Sequence, residues 1–167
     1  MRNLTGTLCL TLTIILGMTG MSASADLQKG LTAYESGDYA TALREWKPLA
    51  EQGHGVASYA LGVMYRDGQG VSKNYKTAVK WFKLAAELQT AVGQYNLAMM
   101  YVNGQGVPQD YIRAYMWWEI AASSGIKSVA PDAVSARDSA SKRMAPAEIA
   151  EAKKLARECI RKKYKGC

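Results

Sequence analysis

Through the middle of the chain, apolar residues recur at helical spacing, stop, and recur again. Tyr75, Ala78, Phe82, Ala85 and Ala86 fall on one helical face, with lysines between them. Tyr95, Leu97, Met100 and Tyr101 form the next run, which stops at Gly104, a residue suited to the left-handed position that ends a helix. Gly106 and Pro108 then keep the linker from continuing as helix. The pattern predicts a pair of helices joined by a tight turn.

This unit recurs with a step of 36 residues. Asp38, Asn74 and Asp110 coincide, each before a tyrosine, and each can cap a helix by accepting from an orphan backbone N–H. Ala42, Ala78 and Ala114 coincide, as do Trp46, Phe82 and Trp118, and Ala50, Ala86 and Ala122. Further along, Tyr59 matches Tyr95, Leu61 matches Leu97, and Gly68-Gln69-Gly70-Val71 matches Gly104-Gln105-Gly106-Val107. A lone helix pair cannot bury its apolar face, whereas stacked pairs can, so the expected fold is an all-α solenoid.

The units are read as residues 39–74, 75–110 and 111–143. Gly53 and Gly125 mark the interhelical turn, but the middle unit has Gln89 there, and Gly62 becomes Ala98 one unit on. The third unit is degenerate: a loop to Ala130, Pro131 at a helix start, and a helix to about Arg143. Pro146 begins a capping helix over about 146–163, with Ile149, Ala152, Ala156, Cys159 and Ile160 expected to face inward. A helix over about Leu27 to Ser36 is expected to cap the front.

The segment A-x-K-W-F-x-x-A-A at Ala78 to Ala86, followed by Leu97, Tyr101 and GQGV-PQDY, resembles the Sel-1-like repeat, a relative of the tetratricopeptide repeat. The resemblance covers about Leu27 to Lys163, and RM-APAEIAEAKKLARE resembles the closing helix of small bacterial members. It implies a right-handed superhelix of antiparallel helix pairs acting as an adaptor or scaffold.

The N-terminus bears on the compartment. Arg2 precedes an apolar stretch from Leu8 to Leu16, and small and polar residues follow to Ala23-Ser24-Ala25. That is the layout of a secretory signal, residues 1–25, with cleavage before Asp26. The stretch is shorter than the ~20 residues a bilayer-spanning helix needs. Export is expected, to the periplasm first, with secretion as the alternative. The mature chain would keep Cys159 and Cys167, which an oxidising compartment would pair, two free thiols being the alternative. Continuous helix would hold their Cα atoms about 12 Å apart, so pairing requires the chain to turn back, with Gly166 as the expected place.

Candidate chemistry is sparse. His54 is the only histidine and lies between Gly53 and Gly55 in a turn. The cysteines lack C-x-x-C spacing, so neither a metal nor any other cofactor is expected. S-x-x-K occurs at Ser124/Lys127 and Ser139/Lys142, as often as composition explains, and without the S-D-N or K-T-G elements of penicillin-site enzymes. No catalytic residue is assigned. Trp46, Phe82 and Trp118 are core positions, and Trp81 and Trp117 are expected to bury against the next repeat.

Charge is uneven. The formal net charge is +7, and from Arg143 to Cys167 eight Lys/Arg face three Glu. The basic surface is Lys153, Lys154, Arg157, Arg161, Lys162 and Lys163, with Lys165 beyond. It is either a solvated helix end complementing the dipole or a surface for anionic lipid or envelope polymer. A second candidate is the face of each first helix opposite its buried stripe: Arg44, Lys47, Lys80, Lys83 and Met116, with Glu119 at the far end. Glu51 and Glu87, four residues after Lys47 and Lys83, could draw part of this ladder into pairing along the helix. The expected function is a non-catalytic adaptor in the cell envelope that binds a protein or peptide. The alternative is an accessory protein on peptidoglycan or an anionic surface, and nucleic acid is not an expected partner.

Overall fold

The structure, a computed structural model, describes residues 23–167. The signal-peptide assignment lies outside it apart from Ala23 to Ala25. The described residues form only helices, here α1 (23–35), α2 (Tyr39–Glu51), α3 (Gly55–Asp67), α4 (Tyr75–Glu87), α5 (Ala91–Asn103), α6 (Tyr111–Ser123), α7 (Ala130–Ser141) and α8 (Pro146–Arg161). From α2 to α7 each helix packs on the next, giving an all-α solenoid, and α8 returns to lie on α6.

Local chemistry sets each boundary. The side chains of Asp38, Asn74 and Asp110 accept from the backbone N–H of Thr41, Thr77 and Arg113, so the first helix of each unit opens on a capped turn. The Asp38 carboxyl is held below the ordinary aspartate range, first by its hydrogen bond from Thr41. The second helices end at Gly68 and Gly104 in the left-handed region, φ 78° and 64°. Gly106 lies in the same region at φ 75° and must be glycine for a second reason: a Cβ there would collide with the carbonyl oxygen of Tyr75. The middle unit keeps the left-handed interhelical turn without its glycine, because Gln89 itself adopts φ 61°.

The core divides at the first repeat. A front cluster joins Trp46, Leu49, Leu61 and Met64 with small alanines. A larger cluster runs from Phe82 through Leu97 and Met100 to Trp117, Trp118 and Ile120. Trp46, Phe82 and Trp118 are 4%, 0% and 2% exposed, as the register predicts. The α3–α4 and α5–α6 contacts are more extensive than those within each unit, and at α3–α4 Gly62 lets the Phe82 ring approach the helix backbone.

Three residues sit differently from expectation. Trp81 packs against the front cluster, since α4 lies on α3 and turns that face back to the first unit rather than on to the next. Ile160 is exposed, because α8 buries only the narrow stripe Ala152, Ala156 and Cys159 against the array. Met116 is buried, because α5, α7 and α8 all pack on α6 and leave it little open surface.

Candidate functional site

The burial of Met116 truncates the expected ladder. Arg44, Lys47, Lys80 and Lys83 are exposed on α2 and α4. Arg44 pairs with Glu45, which also takes Lys29 at 2.8 Å. Among the described residues Lys47 and Lys83 make no ion pair, so Glu51 and Glu87 do not draw them along the helix. On α6 the run stops: Met116 is beneath α8 and Glu119 accepts from Arg137 at 2.8 Å. The first-helix surface is therefore a patch of two repeats with exposed cations, without an apolar end.

The basic residues of the closing helix form a second surface. Lys153, Lys154, Arg157 and Arg161 are exposed on α8, and Lys162 and Lys163 on the turn after it. None of them forms an ion pair among the described residues. Cys159 and Cys167 are joined in a disulfide with Cα atoms 5.7 Å apart. The chain turns back earlier than Gly166 alone would allow: Lys163 and Tyr164 already lie at φ 51° and 65°, and Gly166 follows at 68°. The hook keeps Lys162, Lys163 and Lys165 beside the end of α8.

A third surface is not marked by the repeat pattern. Between α1 and α3 lies a groove of about 230 Å³ lined by Leu27, Leu31, Tyr34, Trp46, Val56 and Tyr59. Two of its polar groups are used internally: the Tyr34 hydroxyl donates to Gln69 Oε1 at 2.6 Å, and Trp46 Nε1 donates to the Leu27 carbonyl at 3.2 Å. Leu31 and Val56, 40% and 47% exposed, stand at its edge. Burial pushes the Tyr59 phenol above its ordinary value. The spacing of Val56, Tyr59 and Val63 on α3 carried the signal, but only the docking of α1 shows that the stripe stays partly open. Between α3 and α5 the same face is closed by Arg66 Nη1 donating to Asn96 Oδ1 at 2.8 Å.

His54 serves the fold. Its Nδ1 accepts from the Ala57 N–H at 3.4 Å and caps α3. Among the described residues no group of histidine, cysteine or carboxylate side chains is placed to hold a metal ion, and no helix is long and apolar enough to cross a membrane.

The Sel1 repeat family model matches residues 55–89 and 91–126. Each match begins at a second helix and takes in the following first helix, so its phase differs by half a unit from the 36-residue reading. A protective antigen present in uropathogenic Escherichia coli strains, displaying an SLR fold, is similar in structure with a TM-score of 0.78 and 25% identity. The match covers 85% of this chain but 30% of the antigen. A Sel1 repeat protein from Oxalobacter formigenes matches with a TM-score of 0.60 and 29% identity, over 75% of this chain and 98% of that one. No curated protein matches the sequence. Sel1 repeat proteins generally mediate protein–protein interaction and are typically non-catalytic scaffolds.

Proposed function

We propose that the chain, two of whose repeats match the Sel1 repeat model, is a Sel1-like repeat protein, and from that premise that it is a non-catalytic adaptor of the cell envelope that holds a protein or peptide partner. The groove between α1 and α3 carries this reading. It is largely apolar, its Tyr34 hydroxyl and Trp46 indole N–H are already hydrogen-bonded within the chain, and Leu31 and Val56 remain exposed at its edge. Such a groove favours apolar side chains of a partner, because each apolar surface removed from water contributes roughly 25 cal/mol per Å².

Export completes the reading. Cleavage before Asp26 would remove the first turn of α1 and leave an acidic residue at its start, where the helix dipole favours it. N-terminal sequencing of the protein recovered from the envelope should begin at Asp26. An intact N-terminus, or a protein confined to the cytoplasm, would defeat the export part of the proposal.

The adaptor is tested by Val56→Glu. A photo-crosslinker in place of Ala60, which also lines the groove, should trap one reproducible partner with the parent chain and lose it with the variant, at unchanged melting temperature. Equal trapping by both would sink the groove as the partner site. A second reading, attachment to an anionic envelope surface, is favoured by the unpaired cations of α8. Salt separates the two: screening over about 8–10 Å weakens attraction between surface charges far more than apolar contact.

A further inference from the structure

The cleft between α5 and α7 differs in chemistry from the α1–α3 groove. Its volume is about 470 Å³, and no carboxylate side chain lines it. Met99, Trp118 and Ala140 form an apolar part, and Gln109, Tyr111, Ser139 and Arg143 a polar one.

The polar part carries one charge, that of Arg143, beside the neutral side chains of Asn103, Gln109, Tyr111 and Ser139. Gln109 Nε2 donates to the Val102 carbonyl at 2.7 Å and to the Tyr111 phenol oxygen at 3.5 Å. Arg143 Nη1 donates to the same phenol oxygen at 3.1 Å. A phenol oxygen that accepts from two donors keeps its own O–H to give. Arg143 forms no ion pair among the described residues, and most of its N–H donors are unspent. Trp118, 2% exposed, has an indole N–H with no acceptor. The site thus holds one uncompensated positive charge, several unused donors and an apolar wall. What completes it is an oxygen anion carried on an apolar body.

We infer that this cleft binds a carboxylate borne on an apolar or aromatic group, with Arg143 and the Tyr111 hydroxyl donating to the carboxylate oxygens. A planar carboxylate matches the fork of a guanidinium, which is why arginine serves this recognition. The apolar part, with the Trp118 ring, takes the rest of the ligand. The inference deepens the adaptor reading and rests on it where the carboxylate belongs to the end of a partner's chain; a free aromatic acid is the other source of the same group.

The test uses the whole mature chain labelled with ¹⁵N. It is titrated with N-acetyltyrosine, with N-acetyltyrosinamide, and with an N-acetylated pentapeptide ending in tyrosine as its acid and its amide. The acids should shift the Trp118 indole N–H resonance saturably, and the amides should not. Arg143→Gln should raise the dissociation constant at least tenfold and Tyr111→Phe severalfold. Lys76→Gln, an exposed cation on α4 outside every candidate surface, should leave it unchanged, with all variants checked for unaltered melting. A peptide acid that binds more tightly than N-acetyltyrosine identifies a partner's terminus as the ligand, and equal affinity identifies a free acid; both support the site. Acids and amides that bind alike, or Arg143→Gln and Lys76→Gln with equal effects, overturn it. Loss of partner crosslinking in Val56→Glu is independent of this titration, so the adaptor reading and the carboxylate site can fail separately.

Discussion

Single residues record where the repeat departs from its own pattern. Gln89 stands in the left-handed region that Gly53 and Gly125 occupy in the neighbouring units. A side chain there costs about 1–2 kcal/mol, and the greater freedom of an unfolded glycine offsets roughly 0.5–1 kcal/mol of the gain from removing it. Gln89→Gly should therefore stabilise the chain by about 0.5–1 kcal/mol in chemical denaturation, and a loss of stability would show that Gln89 has a favourable contact. Gly62 is the converse case. A Cβ there would meet the Phe82 ring at 2.5 Å, whereas Ala98 holds the corresponding place one repeat later, buried in the same core as Trp118. Gly62→Ala gains up to about 1 kcal/mol of helix propensity but should be destabilising overall, since overpacking a filled core costs about 1–3 kcal/mol. Both departures were visible in the sequence; their sign was not, because it depends on a backbone angle in one case and a ring position in the other.

At the scale of elements, the first and second helices of the complete units were legible because caps, periodicity and glycine stops agree at each boundary. The degenerate third unit was legible in outline too, since Pro131 and Pro146 mark the starts of α7 and α8. What stayed hidden was how much of each helix its neighbours cover. Met116 and Ile160 were misplaced for the same reason: α8 crosses α6 with a narrow alanine stripe, burying the one and leaving the other in water. The open groove between α1 and α3 is also a relation between helices, and no single helix's pattern displays it. The hook after α8 joins its parts covalently. Closing so short a loop stabilises by about 2–3 kcal/mol on the chain-entropy view. Cys167→Ser should lower stability by about that amount, measured by melting under non-oxidising handling to avoid adducts at Cys159. Reductant should then change the melting of the parent chain but not of the variant. A parent chain indifferent to reductant, with both thiols open to labelling, would mean that packing alone holds α8.

Over the whole molecule, stability and binding draw on different faces of the same helices, and α4 shows the division most sharply. Phe82 is fully buried; its ring fills the space left by Gly62 on one side and joins the larger core on the other. Lys80, two positions earlier, is exposed and makes no ion pair among the described residues. Phe82→Ala should cost about 3–5 kcal/mol, the usual range for a buried aromatic. In a solenoid, stability is a sum of unit and interface terms, and an array this short has few interfaces over which to spread a loss. The damage in the middle should therefore lower one cooperative transition, followed alike by near-ultraviolet and far-ultraviolet circular dichroism. Two separated transitions would instead show that the front cluster around Trp46 and the larger core unfold independently. Lys80→Ala should move stability by less than about 0.5 kcal/mol, and it should weaken partner crosslinking if the α4 surface takes part in binding. Equal effects of the two substitutions on melting would mean that the stripe assigned to the core does not hold the repeats together, and the assignment of the opposite face to a partner would fall with it.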